Sequence, residues 1–168
     1  MKHFDIFGQF LIRPPFQNRR LKLDPNMCFV LMPFGDKVLD AVWTNHLQPA
    51  VRAAGLEPLR ADQIFSDSPV MDDVWTCITN SRLVIADLTG RNPNVFYELG
   101  IAHTIGKNVV QIAQDISDVP FDIRHIRTIL YEYTPPGMTG FEKALTDTCK
   151  HILSSGVEYN QGKGREQI

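Results

Sequence analysis

Glu98 is the residue whose type and position could do chemistry in this chain. It lies in the stretch Arg82-Leu-Val-Ile-Ala-Asp-Leu-Thr-Gly-Arg-Asn-Pro-Asn-Val-Phe-Tyr-Glu98-Leu-Gly-Ile-Ala-His103, which reads as a buried strand, a polar loop and a helix with one carboxylate near its start. A fixed carboxylate facing a cleft can stabilise positive charge that develops on a bound ligand or attack an electrophilic carbon. Asp87 offers a second carboxylate, with bonding to its own loop N–H groups as the equally weighted alternative. Asn92 and Asn94 can hold sugar hydroxyls. Phe34 and Tyr97 offer flat faces for a base, against the plainer reading that they pack in the core.

These residues need elements to hold them. Arg82 to Ala86 is an apolar, β-branched run suited to a strand covered on both faces. Asn92-Pro93 is a helix-start signal, because Asn can accept a bond from the first free N–H groups and Pro tolerates the first turn. Val95, Leu99 and Ala102 then form a stripe at helical spacing that should face a sheet, leaving Glu98 at its edge. Upstream, Cys28 to Met32 reads as a strand with Pro33-Phe34-Gly35-Asp36 as its turn. Leu39 to Ala54 recurs at helical spacing with Gly55 as its stop, and Pro49 should kink it. Leu56 to Leu59 reads as a strand that Pro58 confines to an edge.

Ala61 to Pro69 is a loop carrying Asp62, Asp67 and Ser68, and Val70 to Thr79 a helix with Val74 and Ile78 inward. Asp72 and Asp73 fall in its first turn, where they complement the helix dipole better than they would ligate a metal. Strands at Asn108 to Ala113 and Thr128 to Tyr133 and an amphipathic helix from Phe141 to Leu153 complete the order. The economical solution is an α/β fold: a doubly wound parallel sheet of about five strands with helices on both faces. Ligands of such sheets bind beyond the carboxyl ends of the strands. That cleft would gather Pro33, Phe34, Gly35, Asp67, Asn92, Asn94 and Tyr97 around Glu98 as a substrate site.

Composition narrows the classes. At 168 residues, 43% apolar and 21% charged, the chain suits one globular domain, 28–153, between a basic arm at 1–27 and a polar tail at 154–168. The arm carries Arg19, Arg20 and Lys22, which read as a solvated linker before they read as a phosphate contact. A net charge of −2 gives no general case for nucleic-acid binding. No apolar run has membrane-spanning length and no signal-peptide core is evident, so a cytoplasmic location is expected. Cys28, Cys77 and Cys149 have neither zinc-site nor disulfide-framework spacing, and no metal or cofactor is expected. No glycine-rich phosphate loop is present. His125, between Arg124 and Arg127, is at most a weak phosphate signal, and His103 lies too far round the helix to pair with Glu98.

Residues 28 to 153 resemble the nucleoside 2-deoxyribosyltransferase-like family, most densely from Ile78 to Lys107. The resemblance rests on a strand ending in Asp87, a short loop, Glu98-Leu99-Gly100 on a helix, and Gly106-Lys107. A weaker resemblance to Toll/interleukin receptor (TIR) domains rests on Ile78, Ser81-Arg82, Leu83 to Ala86 and Glu98-Leu99. The first resemblance implies that Glu98 is a nucleophile toward a nucleoside or nucleotide; the second, that it supports cleavage of the nicotinamide–ribose bond of NAD. Two departures count against efficient transfer between bases. Asn92 stands where an Asp is typical of the family, and Phe34 where a Tyr is expected to orient the nucleophile. The leading expectation is cleavage of an N-glycosidic bond. The alternative is a nucleotide-sensing module without turnover, in signalling or antiviral defence. The resemblance also implies a homo-oligomer, since related enzymes often complete their sites from a neighbouring subunit.

Overall fold

The computed structural model describes residues 4–5, 11–12, 22–64 and 69–155. The basic pair Arg19-Arg20, Asp67 and residues 156–168 of the tail lie outside the described residues. Phe4–Asp5 (β1) and Leu11–Ile12 (β2) form a small antiparallel pair. The body follows as β3 (Asp24–Leu31), α1 (Lys37–Val42), a π-helical turn (Trp43–Leu47), α2 (Gln48–Ala53), β4 (Glu57–Arg60), α3 (Val70–Asn80), β5 (Ser81–Asp87), α4 (Pro93–Thr104), β6 (Val109–Ala113), β7 (Thr128–Leu130) and α5 (Pro135–Ser155).

The five strands from β3 onward form one parallel sheet in the order β4-β3-β5-β6-β7. Its strands are covered on both faces, and the side chains divide by the two-residue period of a strand. Cys28, Val30, Leu83, Ile85, Val110 and Ile112 meet the helical run from α1 to α2 and α5. Phe29, Leu31, Val84, Ala86 and Ala113 meet α3 and α4. This is the doubly wound arrangement expected from the sequence. Pro58 sits in β4, at the sheet's edge, where the missing N–H costs no central ladder bond.

Three local expectations are refined or corrected. The helix around Pro49 becomes irregular ahead of the proline. It widens into the π-helical turn just before the proline, with the Gln48 N–H reaching back five residues to the Trp43 carbonyl, which accommodates a residue that has no N–H to give. β3 starts at Asp24, four residues before the expected boundary, so the last residues of the basic arm belong to the sheet. α5 starts at Pro135, not Phe141. Pro135, Pro136 and Gly137 look like a loop in sequence, but prolines are tolerated in a first turn, and the Thr134 Oγ1 accepts the Gly137 N–H at 3.3 Å.

The Gly106-Lys107 pair is structural. Gly106 ends α4 at φ 73°, its N–H donating to the His103 carbonyl at 3.0 Å, and Lys107 Nζ donates to the Ser81 carbonyl at 2.7 Å. A side chain at Gly106 would be forced into the left-handed region. Gly106→Ala should therefore lower stability by about 1 kcal/mol, a fall in Tm of roughly 3 °C. Unchanged thermal melting would show that α4 does not depend on this stop.

Candidate functional site

The chain leaves β3 over one face of the sheet and returns to β5 over the other, so the loops after these two neighbouring strands diverge and leave a gap. Both walls are fixed by local chemistry. After β3, Gly35 adopts φ 84° and delivers Asp36, whose Oδ1 accepts the Val38 and Leu39 N–H groups at 2.8 and 3.0 Å and caps α1. After β5, Asn92 caps α4 as expected, its Oδ1 accepting the N–H groups of Asn94 at 2.9 Å and Val95 at 3.4 Å. Val95, Leu99 and Ala102 are buried toward the sheet. Glu98 is turned to the shoulder of the helix.

A crevice of about 340 Å³ opens there, lined in part by Pro33, Phe34, Asn92, Asn94, Tyr97 and Glu98. Six of the residues singled out in the sequence are thus brought together. Phe34 and Tyr97 remain 61% and 56% exposed, so neither is consumed by the core. Gly35 shapes the turn and is absent from the lining. Met71 and Ala61 complete the wall and were not expected; Met71 lies on α3, whose apolar residues sequence alone assigns to the core.

Glu98 is half-buried, and its carboxylate has no hydrogen bond or ion pair among the described residues. Burial alone pushes its pKa up to about 7. A carboxyl with this value is partly ionised at neutrality, and its desolvated anion is available to attack an electrophilic carbon or to stabilise developing positive charge.

Asp87 is the opposite case. It is fully buried, and its carboxylate accepts the Thr89 N–H at 3.0 Å, the Thr89 hydroxyl at 2.6 Å and the Tyr131 hydroxyl at 2.8 Å. Burial still raises its carboxyl above the usual range. Thr89 Oγ1 in turn accepts the Gln114 N–H at 3.1 Å. Asp87 does not line the crevice; it ties the loop after β5 to β6 and to the end of β7. Tyr131, its partner across the sheet, carried no sequence signal beyond its place in an apolar run. Among the described residues, no cluster of His, Cys, Asp and Glu could hold a metal ion, and no helix is long and apolar enough to cross a membrane.

No family model and no curated protein matches the chain by sequence. A solved structure does match. The chain shares its fold with a 2-desoxiribosyltransferase from Leishmania mexicana. The likeness has a TM-score of 0.51 at 16% identity and covers 71% of this chain and 98% of that one. At this identity it speaks for the fold, and the chemistry must be argued from the site.

Because the folded-state pKa of Glu98 lies above its ordinary value of 4.5, the native state binds this proton more tightly than the unfolded chain. The penalty for holding the ionised form is absent below about pH 4.5, grows as pH rises toward 7 and is complete above it. Glu98→Gln should therefore be more stable than wild type at pH 8 by about 1 kcal/mol, discounted for partial exposure, with the difference vanishing at acid pH. Thermal melts at the two pH values check it; a variant less stable at pH 8 would mean that Glu98 has a stabilising partner.

Proposed function

We propose that this protein cleaves the N-glycosidic bond of a nucleoside or nucleotide, with Glu98 as nucleophile or as stabiliser of the oxocarbenium-like transition state. The observation that carries the reading is a desolvated carboxylate, without a partner among the described residues, facing a crevice at the switch point of the sheet. Ionised Glu98 attacks the anomeric carbon as the bond to the base breaks, and the bonding electrons leave with the base. Water then attacks the same carbon of the glycosyl ester, freeing the sugar and restoring the carboxylate, while the proton the water loses is matched by one the departed base takes up from solvent. Phe34 and Tyr97, exposed at the mouth, supply faces for the base, and Asn94 a polar group for the sugar. The shared fold with a desoxiribosyltransferase supports the substrate class.

A second reading has its own observation. Glu98 and Tyr97 are the sole titratable groups among the described lining residues, and Asn92 both lacks an acidic proton and spends its Oδ1 on capping α4. The departing base therefore has no obvious acid in the crevice. That arrangement suits slow hydrolysis, or a module that binds a nucleotide or NAD and signals occupancy without turnover. Assembly into a homo-oligomer, with a neighbouring subunit completing the site, belongs to the same proposal.

Chromatographic detection of free base, from a panel of nucleosides, nucleotides and NAD, separates the two. Wild type should release base, and Glu98→Gln should be slower by about a thousandfold. Since Glu98 must be ionised to attack, kcat/KM should climb about tenfold per pH unit below 6 and level off above about 7.5. Full turnover by Glu98→Gln would end the assignment. Ligand binding with no release from any compound would select the sensing module.

A further inference from the structure

A second crevice, of about 520 Å³, lies on the other side of the ridge made by Pro33 and Asn92, which border both. Its lining includes Asp36, Thr89, Gly90, Arg91 and Gln114. Arg91 is unusual in two respects. It is the one described non-glycine residue at positive φ, at 56°, a conformation that costs a side-chain-bearing residue free energy. And its guanidinium is exposed, with no hydrogen bond or ion pair among the described residues.

The loop presenting it is held on every side. Asp87 fixes Thr89, the Gly90 N–H donates to Asp118 Oδ2 at 3.0 Å, the Arg91 N–H donates to the Leu88 carbonyl at 3.1 Å, and Asn92 is committed to the cap of α4. A strained arginine on a clamped loop, without a partner of its own, is a donor fork set in advance for something outside the chain. Neither acid nearby is paired with it: Asp36 accepts the first-turn N–H groups of α1 and Asp118 the Gly90 N–H, and both keep their charge.

We propose that Arg91 binds the phosphate on the 5′ carbon of the substrate sugar, so that the substrate class is the nucleotide and not the free nucleoside. This rests on the glycosidic reading of the Glu98 crevice. Pro33 and Asn92 line both crevices, so a sugar whose anomeric carbon meets Glu98 can extend across them and carry its 5′ substituent into the second. The recognised chemistry is a phosphoryl group on a 5′ oxygen, whether as a monophosphate or as the diphosphate of a dinucleotide such as NAD.

The test compares base release from nucleoside 5′-monophosphates, NAD and the matching nucleosides by wild type, Arg91→Gly and Arg91→Gln. Glycine suits the left-handed backbone, so the first variant removes the guanidinium without strain and should melt no lower than wild type. Glutamine keeps a long side chain. Wild type should prefer phosphorylated substrates at least tenfold in kcat/KM, and both variants should cut that preference at least tenfold, chiefly through KM. Monophosphate and NAD arms show which phosphate source is used. Equal use of nucleosides and nucleotides by wild type, or a preference that survives both substitutions, overturns the proposal. If no compound releases base, calorimetry on Glu98→Gln protein still decides. Tighter binding of a 5′-monophosphate than of its nucleoside, lost when Arg91→Gly is added, keeps the phosphate site and discards the glycosidic reading; equal or absent binding of both discards the phosphate site.

Discussion

The gap between the carboxyl ends of β3 and β5 is the constraint to which the rest of this molecule answers. A parallel sheet that sends its chain over one face after β3 and brings it back over the other before β5 cannot close that gap with backbone. The loops on either side must therefore be held by their own side chains. Asp36 does this for the first loop by capping α1, and Asn92 for the second by capping α4. Glu98 reaches the gap because Val95, Leu99 and Ala102 fix which side of α4 faces the sheet.

The two carboxylates of this region show how the environment divides roles between identical groups. Asp87 is deeper, yet three donors hold it, and its work is to lock the loop that carries Thr89, Gly90 and Arg91. Glu98 is shallower and has no donor among the described residues, so burial dominates its shift. Folding has withheld from Glu98 the hydrogen bonds given to Asp87, and a group left in that condition beside an open crevice is available to a ligand. Arg91 is likewise without a side-chain partner among the described residues, and its backbone sits in a costly conformation on a loop held by hydrogen bonds.

Much of the fold was legible in the sequence, since strand runs such as Arg82 to Ala86 and the stripe on α4 carry their period openly. Asn92-Pro93 located the start of α4 because capping is chemistry between neighbours in the chain. The errors fell where tertiary context overrides local pattern. Pro135, Pro136 and Gly137 begin a helix that only its packing on the sheet reveals, and Pro49 is absorbed by a π-helical turn that no residue type announces. At the crevice, residues near one another in sequence come together, as with Asn92, Asn94, Tyr97 and Glu98. Tyr131 and Met71 come from distant segments and could be placed only once the sheet order was known. The bond from Asp87 to its own loop N–H was one of the two readings left open by the sequence, whereas its tie to Tyr131 and the strain at Arg91 are three-dimensional facts with no signature in one sequence.

Glu98 is a desolvated carboxylate without a partner among the described residues, and the proposed function makes it the group that meets the ligand. Carbon-detected NMR titration of the glutamate side-chain carboxyls reads this directly, with Glu98→Gln protein assigning the signal. The account predicts one carboxyl titrating near 7, missing from the variant and displaced when a nucleoside or nucleotide is added. A Glu98 that titrates near the ordinary 4.5 and does not respond to any of these compounds would contradict it.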